Sequence, residues 1–371
     1  MAPADQDDFY WPAEWTEQER CWLGWPDRAD WFPHQAKEAQ AAVTGVAAAI
    51  AKFVPVTVVA NPSQVDKARS LLPTVVQVLG LNLETPYIRD TAPLFVKSLL
   101  SGNAVGVDYR FNLYGSHQGP NGEWITKWGS VYAHKLHDAD VAGALLRHLG
   151  MQRVQSPMVL EGGSVHTDGE GTMVTTAECL LHENRNPNMT REQIEAELNR
   201  TLGVNKVIWL PRGVYADWVT NGHCDNFCCF VRPGHVLLAW TDDESDPQWE
   251  ISQEAYRVLS ATPDARGRKL KIHKVPMPPP LHITQAEADA CQHDGKAKRG
   301  AGERLPASYI NFYHGNGGAV IPAFGEGTDE LARAAIQEAY GPSVKVVSVP
   351  ARPILMGGGD IHCMTMQQAK I

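Results

Sequence analysis

The sequence predicts an α/β fold, and three observations carry that reading. Short apolar runs of strand character alternate with longer stretches whose apolar residues recur at helical spacing. The chain has 371 residues, 43% hydrophobic and 20% charged, enough to bury a large core as one domain or two. The glycine-rich segments fall between the periodic ones, where strands end in tight turns.

Four runs read as short buried strands: Phe53–Val59, Val204–Leu210, Val236–Trp240 and Val344–Val349. Four stretches read as amphipathic helices: Gln35–Lys52, Asp140–Leu149, Thr190–Leu202 and Thr328–Tyr340. The third begins with Thr190 and has Gln193 three residues on, a capping-box pattern that fixes its start. Residues 276–307 form the most irregular stretch, read as a surface loop or flap that covers a pocket. No internal repeat is visible in the sequence itself. Alternation of this kind is the mark of α/β architecture.

Charge and cysteine content narrow the partners. The formal net charge is −9 with 42 acidic against 33 basic residues. Such a chain lacks the electrostatics to grip nucleic acid or an anionic membrane, and it suits a small cationic substrate. Seven cysteines with no C-x-x-C pair favour reduced thiols in an intracellular, cytoplasmic setting over a disulfide framework. The first residues, MAPADQDDFYWP, have neither an apolar core nor arginines, as expected of a chain without a secretory or transit leader. The longest apolar stretch, between Glu38 and Lys52, is too short to cross a bilayer. No cofactor, metal or nucleic acid is expected; a homodimer is the assembly to test.

Reactive side chains concentrate in four glycine-rich segments: Tyr87–Pro93 (YIRDTAP), Leu160–Gly171 (LEGGSVHTDGEG), Thr220–Asn226 (TNGHCDN) and Gly357–Thr365 (GGGDIHCMT). None has dinucleotide or phosphate-loop spacing. His223 and Asp225 are one residue apart, ahead of the apolar run FCCFV. On a strand they would share a face, with Cys224 on the other. They then serve as metal ligands, as an acid/base beside a charge-binding carboxylate, or as a structural pair. His166 and Asp168 repeat the spacing, but the turn after them favours a structural role. Cys228 and Cys229 read as core. Cys363 follows Gly357, Gly358 and Gly359; it is either a small core residue or an accessible, activated thiol. His362 is adjacent and would point to the opposite face, which leaves His223 as the better partner base.

Taken together, these segments resemble the agmatine deiminase family, which includes bacterial-type peptidylarginine deiminases. The resemblance runs from WPAEW (Trp11–Trp15) and GWP (Gly24–Pro26) to IHCMTMQQ (Ile361–Gln368). Between them lie LLHENRNP (Leu180–Pro187), WLPRGVY (Trp209–Tyr215), TDDESDPQ (Thr241–Gln248) and LPASYINFY (Leu305–Tyr313). It implies a pentein fold: one catalytic domain over residues 1–371, a five-bladed α/β propeller of ββαβ modules around one site.

It also implies a mechanism. A guanidinium stays charged at any working pH, and carboxylates match its fork of N–H donors. By resemblance, Asp90 and Asp225 grip the guanidinium and Glu161 supports His223. Cys363 attacks the central carbon, and His223 first protonates the departing nitrogen, then activates water. Gly357 and Gly358 give the backbone room to present the thiol. The substrate tail is a separate question. Where agmatine deiminases carry acidic residues before T-N-G-H, this chain has Trp218 and Val219, and Arg110 stands where they usually have a neutral residue. An acid lost and a base gained suit a zwitterion. The expected substrate is therefore L-arginine, giving L-citrulline. The alternative is agmatine, giving N-carbamoylputrescine on the way to putrescine. Tyr87, Tyr114 and Asp360 also depart from the family pattern, so changes in the pocket are expected there.

Overall fold

The computed structural model describes residues 8–83, 85–118, 124–125, 131–132, 137–291 and 300–371. Its main sheets repeat one theme. In each, a first strand pairs antiparallel with a second, and the second pairs parallel with a third.

The first unit comprises Leu94–Ser98, Ala104–Arg110 and Gln152–Val159. The second comprises Val165–Thr167, Thr172–Thr176 and Lys206–Leu210. The third comprises Cys228–Arg232, His235–Trp240 and Lys271–Pro276. The fourth comprises Tyr313–Gly315, Gly318–Ala323 and Lys345–Pro350. The last joins the two ends of the chain: Thr365–Ala369 pairs with Gln18–Gly24, which pairs with Val56–Ala60 and through it with Gln77–Gly80. A parallel pair needs a long crossover, and a helix supplies it each time. In chain order these helices are Lys37–Ile50, Val141–Leu149, Arg191–Leu202, Pro247–Ala261 and Asp329–Tyr340. This is the repeat that the residues alone conceal, because only strand order and pairing recur.

The expected elements are present, with shifts at their ends that have local causes. The capping box forms as read: Thr190 accepts from the Gln193 N–H, and the Gln193 side chain accepts from the Thr190 N–H. Gly203, with φ 69°, closes the same helix. The first helix starts at Lys37 rather than Gln35, because His34, Gln35 and Ala36 hold positive φ. The strand expected from Phe53 starts at Val56, since the Phe53 and Val54 N–H groups still cap the preceding helix at Ile50. Residues 276–307 are more ordered than a loop: Leu281 and Ile283 are buried, and Gln285–Ala290 is a helix with its own capping box. Residues 292–299 of that segment lie outside the described residues. No helix among the described residues is long and apolar enough to cross a membrane.

The topology locates the chemistry. Each reactive segment lies in a connection between the last strand of one unit and the first strand of the next. Tyr87–Asp90 precedes the first unit, Glu161–Gly163 the second, and Asp217–Asn226 the third; Ser308–Phe312 precedes the fourth, and Gly357–Met364 precedes Thr365–Ala369. A mutation outside these connections tests the scaffold alone. Thr190→Ala should cost about 1 kcal/mol in chemical denaturation by removing the helix cap. An unchanged midpoint would mean that the cap contributes nothing.

Candidate active site

Asp90 sits in the single helical turn Ile88–Thr91. Its Oδ1 accepts from the Gly163 N–H at 2.9 Å, and its Oδ2 accepts from the Tyr114 hydroxyl at 2.9 Å. Leu113 and Tyr114 hold φ of 53° and 57°, a conformation that costs roughly 1–2 kcal/mol for each residue carrying a Cβ. What that strain supports is the Tyr114 contact with Asp90.

The loop carrying His223 and Asp225 is wound around Asp217. That carboxylate accepts from the Thr220 hydroxyl at 2.5 Å, from the His223 N–H at 3.0 Å and from Asn226 Nδ2 at 3.3 Å. The strand geometry expected of His223 and Asp225 is not what joins them. Cys224–Asn226 is a 3-10 turn and the strand begins only at Cys228. Cys224 does turn away into the core, and Cys228 and Cys229 are core residues as read. The meeting point is instead marked by Gly163. A Cβ there would lie 2.7 Å from His223 Nδ1 and 2.9 Å from both Asp90 Oδ1 and Asp225 Oδ2. Only glycine leaves that space open.

Cys363 closes the remaining side. Its Sγ lies 3.1 Å from Asn311 Nδ2 and 3.4 Å from Asp225 Oδ2, and its N–H donates to Asn311 Oδ1 at 3.2 Å. The glycine run before it is needed for packing: Gly358 has φ 104°, and a Cβ on Gly359 would come within 2.9 Å of the Cys363 Sγ. Gly357 packs on Phe32 and the hydroxyl of Tyr87, whose ring stacks on Trp31.

The charges are arranged unequally. His223 Nδ1 faces Asp90 Oδ1, and its Nε2 faces Glu161 Oε2, each at 3.9 Å. Among the described residues, neither ring nitrogen has a hydrogen-bond partner, nor do Glu161 Oε2, Asp225 Oδ1 and the buried Asp360 Oδ2. Burial pushes His223 down, but Asp90, the Cys179 thiol and Glu161 outweigh it and raise it to about 10. Burial lifts Asp90 to about 6; His223 pulls it down, while Asp225 and Glu161 push it up. Burial also favours the acid form of Asp225, yet the His362 hydrogen bond and charge hold it below the ordinary carboxylate range. Burial, Asp225 and Asp90 raise the Cys363 thiol well above its usual value. Burial does the same to Asp360.

Further buried side chains that the sequence patterns do not point to hold the site residues in place. Arg185, in ENRNP, donates to Glu161 Oε1 at 2.7 Å and to the Thr220 carbonyl at 3.0 Å. His362 turns out to touch the site after all, because Ile361–Met364 is a turn rather than a strand. Glu14, Arg89 and Asn311 complete the set. All five lie inside motifs that carry the resemblance, which was the one available signal. Asp168 ties its own turn through the Glu170 and Thr172 N–H groups. His166 accepts from the Phe230 N–H and faces Glu14. Among the described residues, Glu14, His166 and His362, and Glu161, Cys179 and His223, are close enough to share a cation. Arg89, 3.1 Å from Glu14, and Arg185, 2.7 Å from Glu161, already supply positive charge to those carboxylates.

The residues expected at the substrate tail lie in different settings. Arg110 ends its strand exposed to solvent, outside the groups that meet around Gly163. Val219 packs with Phe111, Leu113 and Tyr114. Trp218 is 39% exposed and donates its indole N–H to Glu303 at 2.8 Å.

A sequence model of the Porphyromonas-type peptidyl-arginine deiminase family matches residues 10–369. The agmatine deiminase of Ectopseudomonas mendocina is 45% identical, over 98% of this chain and 96% of its own. The chain belongs to the agmatine deiminase family. That of Medicago truncatula is likewise 45% identical, covering 98% of this chain and 97% of its own. The solved agmatine deiminase of Enterococcus faecalis superposes with a TM-score of 0.89 at 36% identity, covering 98% of this chain and 96% of that one. Membership in the agmatine deiminase family makes the chain a hydrolase acting on amidino groups.

Gly163→Ala tests the convergence. The added methyl should displace the reacting groups and lower kcat/KM by about 100-fold, with cooperative unfolding retained. Wild-type turnover in that variant would show that the space is not where the substrate binds.

Proposed function

We propose that this chain hydrolyses agmatine to N-carbamoylputrescine and ammonia through a covalent intermediate on Cys363. One observation carries the reading. Asp90 Oδ1 and Asp225 Oδ2 both meet the buried space before Gly163, Glu161 faces His223 beside them, and among the described residues Glu161 Oε2 and Asp225 Oδ1 have no hydrogen-bond partner. Buried carboxylates left that way are costly. A planar cation with paired N–H donors satisfies them. The five units then stand as blades of a pentein propeller in one catalytic domain spanning residues 1–371, and each connection between units contributes one wall of the site.

The pocket wall favours agmatine over the L-arginine expected from sequence. The base expected to replace the lost acid is exposed, and among the described residues no cation at the site is left to pair a substrate carboxylate. The cluster of Phe111, Leu113, Tyr114 and Val219 instead suits a methylene chain. A carboxylate, Glu303, lies against the neighbouring Trp218 and offers an acidic group to an ammonium. The relatives named above are agmatine deiminases.

Each chemical step then has a group in place. In the empty site the two aspartates keep the proton on Cys363. A bound guanidinium neutralises them, and the thiol releases its proton to solvent as substrate arrives. The thiolate attacks the amidino carbon. Protonated His223 gives its proton to the departing nitrogen, ammonia leaves, and a thiouronium remains on sulfur. Neutral His223 takes a proton from water as the oxygen bonds to carbon. The C–S bond breaks, the hydroxyl proton of the adduct passes to the departing sulfur, and the neutral ureido product is released with the thiol and protonated His223 restored.

Side-by-side kinetics should give agmatine a kcat/KM at least about tenfold above that of L-arginine. Arg110→Ala should leave agmatine turnover within about twofold. Preference for L-arginine, lost in that variant, would reverse the substrate assignment. Two pH effects follow. Carbamidomethylation of Cys363 by iodoacetamide should be slow at neutral pH without substrate and accelerate on the alkaline side, since the raised thiol ionises only there. The acidic limb of kcat/KM should fall below about pH 6 as Asp90 takes up its proton. Fast labelling at pH 7, or a flat acidic limb, would contradict these assignments.

A further inference from the structure

From Asp225 runs a chain of buried charges that the mechanism does not use. His362 Nδ1 meets Asp225 Oδ2 at 2.9 Å, and its Nε2 meets Glu14 Oε1 at 2.8 Å. The His362 and Asp225 side chains are 4% and 0% exposed, and that of Glu14 is 10% exposed. Glu14 is held in turn by Arg89 at 3.1 Å and Gln367 Nε2 at 3.3 Å, with His166 Nε2 3.5 Å away. Arg89 is fixed by the His362 carbonyl at 3.3 Å. An imidazole placed with both nitrogens on carboxylates satisfies both only if both nitrogens carry protons.

We propose that His362 is a positioning residue for the deimination: clamped as an imidazolium between Glu14 and Asp225, it keeps Asp225 ionised and fixes its orientation beside Cys363. This rests on the reading of Asp225 as a guanidinium ligand. The geometry separates the two aspartates of the clamp. Asp90 is hydrogen-bonded only by neutral donors, Tyr114 and the Gly163 N–H. Asp225 has a cation on one oxygen and leaves Oδ1 without a protein partner. The directions of titration agree with the contacts. Burial and Arg89 push His362 down, but Glu14 and Asp225 raise it overall. Glu14 is held well below the carboxylate range against burial by His362, Arg89 and His166. Among the described residues, the charged and titratable groups around this pair are Arg89, Glu14, His166, His223, Cys363 and Asp90, with Cys229, His314 and Tyr340 lining the same small cavity. None but His362 donates a hydrogen bond from a cation to Asp225.

The sign is definite. Asp225 is depressed by the His362 cation, so removing that cation raises it, and the carboxylate is lost at higher pH. In the unaltered enzyme one proton, that of Asp90, shapes the acidic limb. In His362→Asn a donor to Asp225 can remain but the charge cannot. There the limb of log kcat/KM should steepen from a slope of about one toward about two and move up by about one pH unit, with at least about tenfold lower kcat/KM at pH 7. Glu14→Gln, which withdraws the charge that keeps His362 protonated, should shift the limb the same way by less. A merely structural role would lower the melting temperature and leave slope and midpoint in place. Folded variants with the wild-type pH profile overturn the proposal while the activity of the unaltered enzyme stands. Failure of the unaltered enzyme to process agmatine overturns the functional reading beneath it. If neither variant folds, neutron diffraction of the unaltered protein at neutral pH decides the charge. Deuterons on both ring nitrogens of His362 support the proposal, and one bare nitrogen overturns it.

Discussion

Three carboxylates are forced into one buried space, and much of the molecule around the site answers that constraint. Like charges at this range cannot all ionise freely in a low-dielectric setting. Each acid has a different solution. Glu161 is paired with Arg185 on one oxygen. Asp225 has His362 on one oxygen. Asp90, with only Tyr114 and the Gly163 N–H, is left closest to neutrality. The unmatched oxygens that remain define where a cation belongs.

The fold supplies these acids from different places at one point. A β-β-α-β unit that ends in a parallel strand must connect to the next unit, and each such connection carries one piece of the site. This explains why the reactive residues are spread from Asp90 to Cys363 yet meet around Gly163. It also bears on the buried side chains that hold them. Arg89 and Arg185 bond backbone carbonyls of other connections, those of His362 and Thr220, so the same side chains that balance charge tie neighbouring units together.

Much of this was legible in the residues, though not all for the reason first given. Alternating patterns identified the helices and strands, and Thr190 with Gln193 fixed one helix start. Cys363, His223, Asp90, Asp225 and Glu161 were found through motif resemblance. The apolar run after His223 and Asp225 suggests a strand through both, whereas the chain makes a turn around Asp217. Hydrophobic periodicity cannot report such a turn, because its cause is a side-chain hydrogen-bond pattern. His362 was set aside by the same assumption. For Arg110, a strand position gives the alternation of faces but not which face looks on the site. The fivefold recurrence was hidden because strand pairing repeats while the residues do not.

The central claim is that the buried acids hold a guanidinium whose carbon bonds to Cys363. Rapid acid quench during agmatine turnover, followed by peptide mass analysis, tests it directly. The account predicts that the peptide bearing Cys363 gains the mass of agmatine less ammonia, and that the gain disappears when substrate is exhausted. Steady turnover with no adduct on that peptide at any quench time, together with full activity of Cys363→Ala, would contradict it.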